Sequence, residues 1–156
     1  MPLILPVRFA VRRRGDLVNR QIGAVEFLLA IEPVLDSIVV TRLPPDATAL
    51  AAQRGYLPAH VPLLKRVGAV APQEVCIAGG SVRIDGVPSA VVLPADRWGR
   101  PLASWQQCRR LEPGELFLLS VTNPSSFDSR YFGPVSASAV IGVAHPVWLE
   151  TARDGR

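Results

Sequence analysis

Proline and glycine interrupt this chain so often that long helices have no room in it. Fifteen prolines and twelve glycines are scattered through 156 residues. Each proline lacks a backbone N–H and breaks a helix interior, and each glycine weakens one. Between the breaks lie short runs rich in Val, Ile and Leu. The pattern excludes a helical bundle and predicts a mainly β fold of short strands joined by turns. The length suits one domain. With 49% hydrophobic and 19% charged residues, the composition also excludes a disordered chain.

The individual runs can be placed. Ile38–Leu43 reads as a strand that stops at Pro44 and Pro45, and Asp46 then reads as the N-cap of one short helix, Ala47–Arg54, ended by Gly55. The stretch Val61–Val70 is apolar on both sides of Lys65 and Arg66. Glu74–Ile77 and Ser81–Ile84 follow, with turns at Gly79-Gly80 and Asp85-Gly86, the second a good hairpin signal. Ala90–Leu93 is a further strand, 96–110 is turn-rich and irregular, and Glu115–Val121 is the strongest strand of the chain. Residues 122–134 form a polar loop, and strands over Ser138–Val143 and Val147–Leu149 close the domain. Residues 1–35 differ: they hold five arginines and no Ser, Thr, Cys or Tyr. They read as loosely specified, with a short helix over Gly23–Ala30.

The formal net charge is +4, and Lys65 is the only lysine among 17 basic residues. The densest basic run, Arg12–Arg14, is not interleaved with aromatics. It reads as a solvated tail or one lying on anionic lipid, and no nucleic-acid partner is expected. No run approaches the ~18 apolar residues of a transmembrane helix, and charges follow the apolar opening rather than precede it, unlike a signal peptide. As written, the chain is expected neither to anchor nor to export itself. Two cysteines, Cys76 and Cys108, are too few for a structural zinc site, and His60 and His145 have no partner at ligand spacing. Neither metal nor other cofactor is expected. The cysteines either pair or stay as separate buried thiols.

Two elements carry chemistry. Lys65 sits among apolar strand neighbours, where burial disfavours its charge; bringing its pKa from about 10.4 towards 7–8 takes ~3–4 kcal/mol of desolvation. Such a lysine can act as a general base, although a lone lysine at a sheet edge more often buries its stem and keeps its ammonium in water. The second element is the loop Ser125–Gly133, which follows a buried strand. An Asp128–Arg130 pair there can brace the loop, and a serine hydroxyl can orient an ammonium. A locally bonded structural turn would use the same residue types.

Together the two elements are more specific. A Lys65-Arg66-Val67 segment on a strand, followed some sixty residues later by the run from Ser126 to Pro134, resembles the type I signal peptidase family. Within it, the chain is similar to the conjugative transfer signal peptidases of the TraF group, through the stretches 53–58, 62–66, 96–102 and 114–119. The resemblance covers roughly residues 37–149. It implies a signal-peptidase-like β-rich catalytic domain over residues 36–150, after an atypical segment 1–35 and before a tail, 151–156. It implies a serine/lysine peptidase on the periplasmic face of the bacterial inner membrane. Lys65 matches the general base, Ser126 the hydroxyl that orients it, and Asp128 and Arg130 the pair that braces the site. The partner it implies is a pilin precursor or another protein with a signal peptide, and in TraF-type members cleavage can be coupled to joining the pilin's ends. An oxidising periplasm would let Cys76 and Cys108 pair.

The sequence also departs from the family. Family members carry the nucleophilic serine some fifty residues before the lysine, after a membrane anchor and ahead of a strand. Here 35–45 takes the place of that strand, so Ser37 lies about twenty residues from where the nucleophile belongs. Gln73-Glu74 replaces a common Gly-Asp. The expectation is a peptidase domain without its nucleophile and anchor, inactive or nearly so, with a non-catalytic peptide-binding module of the same fold as the alternative.

Overall fold

The computed structural model describes residues 8–13, 33–120 and 122–147. Two antiparallel sheets make up the fold. The larger contains β1 (Arg8–Arg13), β2 (Ile38–Thr41), β3 (Leu63–Val70), β8 (Glu115–Leu119), β9 (Val135–Ser136) and β10 (Val140–Val147), in the order β1-β10-β2-β3-β8-β9. The smaller holds β4 (Glu74–Ala78), β5 (Ser81–Ile84), β6 (Val87–Val91) and β7 (Cys108–Arg110), ordered β6-β5-β4-β7. Helix α1 (Pro45–Gln53) links β2 to β3, and a one-turn helix, α2 (Ser129–Phe132), lies between β8 and β9. The expected mainly β fold is what forms.

Strand β8 explains how the sheets pack. Leu116 and Leu118 join one apolar cluster with Val39, Val67, Val135, Val140 and Val143. Phe117 and Leu119 join another, with Ala69 and with Val75, Ile77 and Val82 of the smaller sheet. A strand covered on both faces needs a continuous apolar run rather than an alternating one, and Leu116–Leu119 supplies it. Burying a Leu or Phe contributes roughly 1.5–3 kcal/mol, so β8 is the strand on which both halves of the core rest.

Both expected turns close two-residue hairpins. Gly79 and Gly80 have φ of 57° and 74°, and Asp85 and Gly86 have 49° and 78°. Positive φ at both central residues matches the twist of the strands they join, and an Asp tolerates it better than most side chains.

Several boundaries differ from expectation. Asp46 is not the N-cap of α1: Pro44 holds that position with no side-chain cap bond, and Pro45 opens the helix. Proline suits the first helical position, where no N–H is needed, so Asp46 falls in the first turn, facing the positive end of the helix dipole. The strand expected over Ala90–Leu93 is Val87–Val91. The two expected closing strands are one, β10, which runs through Pro146; pairing with β2 ends at Ala144, so among the described residues Pro146 is paired with β1 alone. Leu149, Val121 and the helix expected over Gly23–Ala30 lie outside the described residues. The segment expected to be loosely specified contributes β1, paired with β10 from Arg8 opposite Val147 to Arg13 opposite Gly142. Arg12 and Arg13 therefore belong to a strand, not to a tail.

Of the two states open to the cysteines, the fold adopts the bonded one. Cys76 and Cys108 face each other across β4 and β7 and form a disulfide 32 residues apart in sequence. Closing a loop of that length stabilises by ~3–4 kcal/mol on the chain-entropy estimate. Reduction, or Cys76→Ser with Cys108→Ser, is expected to lower the free energy of urea unfolding by about that amount.

Candidate active site

The site is built around one buried ion pair. Asp128 is fully buried and Arg130 is 1% exposed. Asp128 caps α2 by accepting the backbone N–H of Arg130, the local bond that makes Asp favourable at such a position. Its two oxygens also accept Nε and Nη2 of Arg130, at 2.8 and 2.9 Å, and the N–H of Ser120 at 3.0 Å. The remaining guanidinium N–H groups reach the carbonyls of Val91, Pro124 and Ser126 at 2.8–3.0 Å. All five donors of the arginine are thereby used. Burial opposes its charge, yet the bonds to Asp128 raise the Arg130 pKa overall.

The same network sets the position of Ser126. Its carbonyl is held by Arg130, and its hydroxyl meets Nζ of Lys65, which arrives from β3. Lys65 pairs in register with Val39 of β2, so the sheet fixes the root of its side chain. Burial lowers the Lys65 pKa; the Asp128 carboxylate partly opposes this and the Arg130 charge adds to it. An amine whose charged form is disfavoured, with a hydroxyl to orient it, is a better proton acceptor than a free lysine.

Lys65 and Ser126 lie in a cleft of about 340 Å³. Phe127 forms part of its lining and packs on Tyr56, Tyr131 and Phe132, with ring centroids 5.2–5.9 Å apart. Another wall is made by two distant segments. Tyr56 donates its hydroxyl to Asp96 at 2.5 Å, Arg100 Nε donates to the same carboxylate at 2.6 Å, and the N–H groups of Trp98 and Arg100 bond to its other oxygen. Burial pushes the Asp96 pKa up, but these donors outweigh it and hold the carboxyl well below the usual carboxylate range.

The structure thus brings Lys65, Ser126, Asp128 and Arg130 together. Ser37 is not joined to them: its hydroxyl donates to the Val34 carbonyl at 2.6 Å. Sequence reasoning held a locally bonded turn open for this loop but missed its helical form, α2, and the Tyr56–Asp96 wall. The turn could have been read from Asp128 two residues ahead of Arg130, a short-range capping spacing. The wall joins residues 40 apart, and no local pattern marks it.

The β-rich domain thus sets a half-buried lysine on a serine hydroxyl, braced by a buried Asp–Arg pair. The family model for signal peptidase, peptidase S26, matches residues 24–149, and the chain belongs to that family. Among its curated relatives, a plasmid transfer protein TraF of Escherichia coli is 36% identical, with 74% of this chain and 71% of that protein covered. A probable conjugal transfer protein TraF of Sinorhizobium fredii is 39% identical over 67% of this chain and 59% of that one. Among solved structures, a signal peptidase I of Enterococcus faecalis is 21% identical, with a TM-score of 0.42, covering 71% of this chain and 95% of that one.

Two outcomes test the electrostatics. Because Lys65 is the only lysine, amine acylation followed by peptide mapping reads its titration directly. Its reactivity is expected to level off at lower pH than a free lysine's. Between that depressed pKa and about 10.5 the unfolded chain binds more protons, so the stability deficit of wild type relative to Lys65→Met should shrink as pH rises. Asp128→Asn leaves the Arg130 charge buried without its partner and is expected to destabilise the protein by ~3–5 kcal/mol in urea unfolding.

Proposed function

We propose that the chain carries the catalytic framework of a TraF-like serine/lysine signal peptidase for the precursor of a secreted pilin, acting at the periplasmic face of the inner membrane, with no nucleic-acid partner. The observation that carries this reading is the contact of Lys65 with Ser126 above the buried Asp128–Arg130 pair, inside an open cleft. In such an enzyme a serine oxygen attacks the scissile carbonyl while the neutral Lys65 amine takes the hydroxyl proton. Lys65 then returns that proton to the leaving amine, and water completes the cycle through the acyl-enzyme. Ser126 accepts a hydrogen bond from Nζ and aims the amine, and Arg130 fixes Ser126.

The attacking serine is the missing part. Residues 1–36 of the chain contain no Ser, Thr or Cys, and the Ser37 hydroxyl is bonded to a backbone carbonyl. We therefore propose that the 156-residue chain is inactive or nearly so in hydrolysis. The alternative, a peptide-binding module without chemistry, is favoured by the same missing serine, because the cleft needs no nucleophile to hold an extended peptide.

Reaction with a serine-directed acylating inhibitor such as a penem, read by intact mass, tests the proposal. The folded protein is expected to show no adduct. A single adduct that disappears in Lys65→Ala would establish a working dyad and overturn the inactivity.

A further inference from the structure

The Asp96 wall of the cleft carries a cation that pairs with no acid among the described residues. Asp96 is 6% exposed, and its two oxygens are saturated by Tyr56, Arg100 and two backbone N–H groups. Arg54 pairs with Asp96 at 3.7 Å and donates to the Tyr56 hydroxyl and the Pro101 carbonyl, and Arg100 also donates to the Arg54 carbonyl. These bonds tie the 96–101 loop rigidly to the end of α1. On this platform Trp98 lies parallel to Tyr56 (interplanar angle 8°) and remains 53% exposed. Arg97 lies over the Trp98 ring, 3.9 Å from its centroid, and forms no salt bridge with any acid among the described residues. Arg97, Trp98, Asp96, Lys65 and Ser126 line the same cleft.

A guanidinium resting over an exposed indole keeps its edge donors available. That is the geometry in which arginine binds a carboxylate through two parallel N–H bonds. Among the described residues that line the cleft Asp96 is the only acid, and its own loop consumes it, so this end of the cleft has an excess of positive charge.

We infer that Arg97 on the Trp98 platform is a specificity-determining residue, which binds an acidic side chain of the peptide lying across Lys65. The inference rests on the proposed reading of the cleft as a peptide site and names the charge that the peptide carries there. It involves no covalent step and does not depend on the chain being active.

The test uses the full chain with its disulfide intact. The probes are labelled alanine-rich peptides with one glutamate moved through successive positions, and the matching glutamine series; fluorescence anisotropy reads affinity. At one position glutamate is expected to bind roughly ten-fold tighter than glutamine, the scale of one charge-assisted pair, and salt should erode the difference. Arg97→Gln should remove the preference, Arg97→Lys restore part of it, and Arg83→Gln, on β5 outside the cleft, leave it intact. Glutamate and glutamine peptides binding equally at every position, or a preference that survives Arg97→Gln, would overturn the inference and leave the peptide-site reading standing. Binding of neither series would overturn that reading and the inference with it.

Discussion

The Arg130 guanidinium is the point to which the working half of this molecule is tied. Each of its five N–H groups has a partner, and the partners come from β6, the loop after β8, and Asp128 itself. Desolvating two charges is costly, and an isosteric apolar pair would often be as stable. What the ion pair adds is geometry. Carbonyls from Val91, Pro124 and Ser126 converge on one rigid planar group, so the Ser126 hydroxyl has a defined place before any substrate arrives. The main chain agrees with this arrangement, since the N–H of Trp105 donates to the Arg130 carbonyl and its indole fills the space over Gly133, where a Cβ would lie 2.7 Å from the ring.

The lysine depends on the same construction in a different way. Sixteen arginines in the sequence keep their charge under any biological condition, and the only lysine lies where burial lowers its pKa. Its sheet neighbours fix the stem and the loop hydroxyl meets the amine. The ion pair beneath acts on it from both sides, with Asp128 favouring the charged form and Arg130 the neutral one. Burial decides the outcome.

What the sequence revealed depended on the range of each signal. Short-range signals were legible: the Asp85-Gly86 hairpin, the break at Pro44-Pro45, and the dense polar run from Ser125 to Gly133. β8 was visible because a strand buried on both faces is a continuous apolar run. Asp46 was misplaced because two adjacent prolines can open a helix without a capping side chain. β1 went unread because Arg8–Arg13 offers only three apolar residues, Phe9–Val11, between arginines, and pairs with β10. The Tyr56–Asp96 wall was invisible because its partners belong to different segments. The carbonyl partners of Arg130 were invisible for another reason: any residue has a carbonyl, so nothing in the residue types marks Val91 or Pro124.

The distances along the chain between these partners bear on the order of folding. Lys65 and Ser126 are 61 residues apart, Arg130 and Val91 are 39 apart, and Tyr56 and Asp96 are 40 apart. Contacts of such separation form only after long loops have closed, and their entropic cost falls before any bond rewards it. No single hairpin of this chain can assemble the site alone. A nascent or partly unfolded copy carries a lysine with the ordinary pKa, and the burial that lowers it comes only with these long-range closures.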